Sequence, residues 1–231
     1  MHPVEFQNIV FKYQDKIILK NISFALEENK ITAILGKSGS GKSTILQLIN
    51  GLLKPYSGII NIFGKPINEY NINELRHRIG YSVQGTLLFP HMNIYDNITL
   101  LPKILNRPKI ETDERVKKIT ELVNLNESFL RKYPHQLSGG EQQRVGICRA
   151  IMMDPELFLL DEAFGALDFE NKREIHTELL KLQAAEPRTI FMVTHDVYEA
   201  EKLSDNIIFI EDGSIKFDKE KKYFDFKKYH D

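Results

Sequence analysis

Apolar and polar residues alternate along EFQNIVFKY and IILKNISFAL near the start of the chain. A period of two turns one face of a segment to a core and the other to water, so these predict half-buried antiparallel strands. KITAILG is a short unbroken apolar run, as expected of a parallel strand covered on both faces. KSTILQLINGLL places its apolar residues on one helical face, with Gly51 near the end. SGIINIFGKPI reads as a strand pair with turn residues, and HRIGYSVQG ends a helix and enters a strand.

From Gly85 to Met153 the pattern becomes helical. In DERVKKITELVNL, Val116, Ile119 and Val123 share a helix face. After Pro155 the buried-strand type returns in ELFLLDE, followed by a helix over 171–184, then RTIFMVTH, a helix from 196, and NIIFIEDG. Strands alternating with helices imply a parallel sheet with helices on its faces. The middle block, 85–153, is then a helical subdomain inserted between 1–84 and 154–231. The last residues, KFDKEKKYFDFKKYHD, mix lysines, acids and aromatics. They read as a solvated tail or a closing helix rather than a membrane-surface segment, because the acids break up the positive charge.

Composition narrows the class. In 231 residues, 42% are apolar and 27% charged, which suits a globular core and argues against disorder. Lys+Arg (31) and Asp+Glu (32) nearly balance, which argues against a nucleic-acid binder and its basic footprint. The single cysteine, Cys148, excludes an intrachain disulfide and suits a reducing compartment. It reads as a small core residue with no redox role. No run approaches the roughly 18 apolar residues that span a bilayer, and no signal-type leader opens the chain, so a soluble, cytoplasmic protein is expected.

Chemistry enters with ILGKSGSGKSTIL. Gly36-Lys37-Ser38-Gly39-Ser40-Gly41-Lys42-Ser43 fits G-x-x-x-x-G-K-[ST] at every fixed position. Glycines let successive amides converge on phosphate oxygens, and the helix starting near Lys42 adds its positive end. Lys42 can reach the β- and γ-phosphates, and the Ser43 hydroxyl can ligate Mg²⁺. The competing reading, a flexible Ser/Gly loop, does not explain the strand before it and the helix after it. Alone, the motif says nucleoside triphosphate and no more.

Two further stretches stand out. In ELFLLDEAFGALD a buried strand delivers Asp161 and Glu162 at its end. Alternation along a strand turns neighbours to opposite sides, so one carboxylate faces a metal. Asp161 fits the metal, and Glu162 is left to polarise an attacking water. An acidic cap on the following segment is the other reading. In LSGGE, Ser138 suits an N-cap, and Gly139 and Gly140 leave amides exposed at a second positive helix start. Ordinary capping explains this equally well. The two anion sites fall in different subdomains, so both need not grip one nucleotide within one chain.

In this order the motifs resemble the ATP-binding subunit of an ABC transporter over nearly the whole chain: phosphate loop 36–43, Gln84, signature 137–141, Asp161 with Glu162, Ala166-Leu167-Asp168, and His195. The resemblance implies an α/β P-loop NTPase with a RecA-like parallel-sheet core, an N-terminal antiparallel β subdomain and the inserted helical subdomain. It implies a head-to-tail homodimer with two ATP molecules, each between the phosphate loop of one protomer and the signature of the other. Nucleotide contacts are then carried by Gly36, Lys37, Ser38, Gly39, Ser40, Gly41, Lys42, Ser43 and Thr44, by Ser138, Gly139 and Gly140, and by Asp168 at the interface. Tyr13 would stack on adenine, a place otherwise as open to packing filler. Gln84 would contact Mg²⁺ or the attacking water as the hinge to the helical subdomain. His195 would bond the γ-phosphate, and Glu162 would be the base. Without the motif context Gln84 is a surface residue, His195 a structural histidine and Asp168 a helix cap. His135 reads as a loop residue.

RIGYSVQGTLLFPHMNIYDNITLLPKILNRP and the stretch from RKYPHQLSGG to FGALD resemble the ATPases of bacterial quaternary-amine (glycine betaine, choline, carnitine) importers. Importer ATPases for methionine or other amino acids, polyamines and sulfonates share much of this pattern, and a non-transport ABC ATPase is the alternative of another class. The resemblance implies membrane permease subunits, a solute-binding protein reached through them, and a place on the inner face of the cytoplasmic membrane. The apolar TLLFPHMNI, with Leu87, Leu88, Phe89, Met92 and Ile94, is the expected permease contact. Many betaine-type ATPases continue into paired CBS modules; this chain is expected to lack them and the ionic-strength sensing they carry.

Overall fold

The structure, a computed structural model, describes residues 2–83, 85 and 87–229. Gln84 lies outside the described residues. β1 (Val4–Tyr13) and β2 (Lys16–Ala25) form the antiparallel hairpin that the alternation predicts. β3 (Ile31–Leu35), buried along its whole length, leads through the glycine loop into α1 (Lys42–Ile49). β4 (Ser57–Ile62) and β5 (Lys65–Pro66) form a second hairpin, and α2 (Ile72–His77) leads to β6 (Ile79–Val83). The middle block holds α3 (Ile94–Ile98), α4 (Leu100–Ile104), α5 (Lys109–Leu122) and α6 (Gly139–Ile151). β7 (Leu157–Asp161), α7 (Phe169–Ala185), β8 (Thr189–Val193), α8 (Val197–Leu203), β9 (Asn206–Glu211) and β10 (Ser214–Glu220) complete the order.

Among the described residues the strands make two sheets, β2-β1-β4-β5 and β10-β9-β3-β8-β7-β6. In the second, β9, β3, β8, β7 and β6 run parallel and β10 is antiparallel. The unbroken apolar strands follow from this, since both faces are covered. On one face Phe6, Leu19, Ile45, Leu48, Leu159 and Phe191 share a core with the antiparallel sheet and α1. On the other, Ala33, Phe158 and Leu160 share one with Ile94, Val116, Ile119 and Val145 of the helical block. Cys148 is buried there, and burial pushes its thiol up, away from reactivity. No helix among the described residues is long and apolar enough to cross a membrane.

The tail reading needs correction. Residues 214–220 form a strand hydrogen-bonded to β9, with Phe217 opposite Phe209, and only short helical turns follow, at Lys221–Tyr223 and Phe226–Tyr229. Phe224 is buried just beyond it, its ring 5.1 Å from Phe217 and 5.0 Å from Phe226. The interleaved lysines and acids hide a two-residue period that pairing with β9 satisfies. Truncating this ring removes shared apolar burial, so Phe224→Ala is expected to lower stability by about 3 kcal/mol. Urea unfolding checks it; an unchanged midpoint would show that the aromatic cluster adds nothing to the fold.

Candidate active site

The phosphate loop sits at the carboxyl end of β3, where neighbouring parallel strands also end. Val193 pairs with both Ile34 and Asp161, so β3, β8 and β7 deliver Gly36, His195 and Asp161 to one crevice. Ligands of open α/β sheets bind at such ends. The loop needs its glycines for space. A Cβ on Gly36 would lie 2.2 Å from the Ile210 carbonyl oxygen, and one on Gly41 would lie 2.6 Å from Leu19 Cδ2. Gly41 also has φ near 103°, a backbone region that side chains disfavour.

The first helical bond of α1 runs from the Ile45 amide to the Gly41 carbonyl. The amides of Lys42, Ser43 and Thr44 therefore belong to the helix start, where geometry leaves donors free for an anion. Lys42 Nζ donates to the carbonyls of Gly36 at 2.7 Å and Lys37 at 2.9 Å, which holds the ammonium over the loop. Burial lowers its pKa, opposed by the charges of Glu162 and Asp161. Ser40 Oγ, buried in the same loop, has no hydrogen-bond partner among the described residues.

Asp161 accepts the Ser43 hydroxyl at 2.9 Å and the Tyr81 hydroxyl at 3.1 Å. Burial raises its carboxyl, with these two bonds opposing the shift. Ser43 and Asp161 offer hard oxygens side by side, a donor set that fits Mg²⁺, which takes few protein ligands and leaves the rest to phosphate and water. Tyr81 escaped the sequence reading. It stands on β6 and is brought in by the register that sets Val83 against Asp161, which no local motif records.

Glu162 departs from the strand argument. The strand stops at Asp161, and Glu162 turns into left-handed backbone with φ near 47°. Its amide donates to Val193 O at 3.0 Å, and its carboxylate lies 3.3 Å from His195 Nδ1. The two carboxylates thus take different partners, Asp161 at the strand end and Glu162 in the turn beyond it. Such a backbone costs about 1–3 kcal/mol and persists where surroundings enforce it.

Tyr13 ends β1, half exposed, with its ring edge-on to Phe11 at 4.8 Å. Its hairpin borders the phosphate loop, since Leu19 and Ile18 approach Gly41. The signature residues form a second cluster. Ser138 caps α6, its hydroxyl accepting the Glu141 amide at 3.3 Å while Glu141 Oε2 accepts the Ser138 amide at 2.6 Å. A Cβ on Gly139 would meet nothing within 4 Å, so that face is open. Gly140 abuts Asn171, whose side-chain amide donates to Asp168 Oδ2 at 2.6 Å. Asp168 caps α7 through the Asn171 amide at 3.0 Å, and these bonds lower its pKa. Signature and Asp168 therefore share one surface, and none of the hydrogen bonds formed by 138–141 among the described residues reaches the phosphate loop.

The expected docking loop is more ordered than its composition suggests. Asn97, fully buried, accepts the Phe89 amide at 2.8 Å and donates to the carbonyls of Phe89, Met92 and Asn93 at 3.0–3.1 Å. Leu87 and Phe89 are exposed, at 67% and 40%. Ile94 is not: it is fully buried in the core of the helical block, because it opens α3 on that helix's inner face. His135 is an exposed residue of the short turn 134–136.

Comparison with known proteins gives the following. Residues 19–165 match the family model described as "ABC transporter". The chain is 42% identical over 200 residues to the glycine betaine/carnitine/choline transport ATP-binding protein of Bacillus subtilis, covering 87% of this chain and 53% of that one. It is 40% identical over 201 residues to the ergothioneine transport ATP-binding protein of Helicobacter pylori, covering 87% and 93%. The structure superposes on the dimeric post-hydrolysis ATP-binding cassette MJ0796 bound to ADP and Pi with a TM-score of 0.82, at 33% identity, covering 96% of this chain and 100% of that one. The chain spans about half the length of the first curated relatives it matches, 53% and 52%.

Proposed function

The chain belongs to the ABC transporter family, and from that premise we propose that it is the ATP-hydrolysing subunit of an importer for a small solute, with quaternary amines such as glycine betaine, choline or carnitine as the solute class. The observation that carries the ATPase reading is the crevice in which Lys42 and Ser43 meet Asp161 and Glu162. The solute class is supported by the names of relatives from Bacillus and Escherichia coli. A second reading, an importer of another small solute, is supported by the Helicobacter relative, whose name specifies ergothioneine.

In this reading Tyr13 stacks on adenine. The loop amides from Gly36 to Thr44, with Lys42, hold the β- and γ-phosphates. Ser43 and Asp161 hold Mg²⁺, which when bound neutralises phosphate charge. Glu162 accepts the proton of the attacking water, and His195 contacts the γ-phosphate beside it. Gln84 joins the metal or the water and hinges 85–153 against the segments 1–84 and 154–231. Ser138, Gly139 and Gly140 of one protomer close over the phosphates held by the other, with Asp168 at the interface. A head-to-tail homodimer, attached to permease subunits on the inner face of the cytoplasmic membrane and served by a solute-binding protein, completes the assembly.

Two experiments test the reading. Co-purification with a candidate permease, followed by ATPase assay with glycine betaine, choline, carnitine and ergothioneine in turn, names the solute; no stimulation by the first three would reject the quaternary-amine class. Phe89→Glu places a charge on the exposed part of the loop that Asn97 shapes, and should abolish co-purification while leaving nucleotide binding intact. A complex that survives this change puts the docking surface elsewhere.

A further inference from the structure

His195 itself is exposed, yet the residues on either side of it are tied into a buried network that the phosphate crevice does not use. Thr194 follows β8 directly, and its hydroxyl donates to Glu199 Oε2 at 2.5 Å. The same hydroxyl oxygen accepts the Asp196 amide at 3.0 Å. Asp196 caps α8 by accepting the amides of Tyr198 at 2.9 Å and Glu199 at 3.2 Å. Lys172, one turn into α7, bridges the two carboxylates, 2.7 Å from Asp196 Oδ2 and 2.8 Å from Glu199 Oε1. His176, one turn further along α7 and fully buried, brings Nε2 to 3.7 Å from Glu199 Oε1. Its ring lies edge-on to Phe164, in the stretch between Glu162 and Asp168.

Glu199 is 3% exposed. A carboxylate that deep stays ionised only when paired and hydrogen-bonded. Burial pushes it up, and the nearby His176 ring, the Lys172 ammonium and the Thr194 hydroxyl bond more than offset that. Gluing α7 to α8 needs an ion pair, but not one that bonds residues 194 and 196. Two of the network's bonds, Thr194 hydroxyl to Glu199 and Asp196 amide to Thr194 Oγ1, hold the residues on either side of His195.

We infer that Glu199, acting with Lys172, is a positioning residue for His195: it fixes the Thr194–Asp196 segment so that the imidazole meets Glu162 and the phosphate held by the loop. The inference rests on the reading of His195 as a γ-phosphate contact. Glu199→Gln keeps volume and an acceptor for Thr194 but removes the charge that Lys172 needs. On the intact dimer with MgATP, kcat should fall about tenfold while KM and nucleotide affinity stay within about twofold, the split expected of a loss felt in the transition state. The second readout is the His195 imidazole signal in histidine-labelled protein, assigned by its loss in His195→Ala. It should move in Glu199→Gln. Unchanged kcat, or a lower kcat with the His195 signal unmoved, overturns the inference. Wild-type turnover by His195→Ala rejects the reading of His195, and the inference with it, whatever Glu199→Gln does. Where Glu199→Gln does not fold, Lys172→Gln at the half-buried edge of the network supplies the same two readouts, judged by the same outcomes.

Discussion

Glu162→Gln should bind ATP with unchanged affinity, lose turnover by about 10²–10⁴, and accumulate as an ATP-bound dimer. The amide preserves the shape of the side chain and its reach to His195, 3.3 Å away. It cannot accept a proton. Asp161 does not replace it, because both its oxygens are engaged, by Ser43 at 2.9 Å and Tyr81 at 3.1 Å. In the proposed site the loop amides and Lys42 hold the phosphates, and the substitution leaves them alone. In the proposed cycle the dimer closes on binding and reopens on hydrolysis, so blocking the chemistry holds the closed form. Size-exclusion chromatography with and without MgATP reads the dimer, and phosphate release reads the rate. Hydrolysis at the wild-type rate would take the role of base away from Glu162.

The divergence of Asp161 and Glu162 also shows what a sequence can and cannot disclose. Strand alternation predicts that the two carboxylates part, and they do take different partners. Glu162 lies beyond the strand in left-handed backbone, its amide bonded to the Val193 carbonyl. Local periodicity located β1, β2, β3, β7 and β8, because burial on one or both faces writes itself directly into the order of residues. The phosphate loop was legible because its geometry is carried by consecutive residues.

Residues that reach a site across the sheet or from another helix leave no such trace. Tyr81 meets Asp161 only through strand register. Asn97 looks like any polar residue in NIYDNI, yet it is fully buried and ties four loop groups together. Glu199 reads as a solvated helix position until α7 is packed against α8. Ile94 was misread for the same reason, since exposure is a property of packing rather than of the TLLFPHMNI composition.

Mixing Lys42→Ala with Ser138→Arg should restore nucleotide trapping that neither homodimer shows. The proposed site pairs the helix starts of α1 and α6. The first faces Asp161 and Glu162, and the second shares a surface with Asp168. Gly139 opens onto free space, so Arg at the neighbouring position 138 blocks whatever approaches that face. Loss of the Ser138 cap costs the fold only about 1 kcal/mol, so the variant should remain folded. Lys42→Ala removes the charge proposed to hold the β- and γ-phosphates. If each site joins the phosphate loop of one protomer to the signature of the other, either homodimer has two defective sites. In the heterodimer one site collects both defects, and the other has Lys42 and Ser138 both intact. That site should close on ATP and trap nucleotide with vanadate. Trapping is the safer readout, because continuous turnover can require both sites. If each chain instead built its whole site alone, every protomer in the mixture would still carry a defect. Absence of trapping in a heterodimer confirmed by differential tags would therefore reject the shared site, and with it the head-to-tail arrangement.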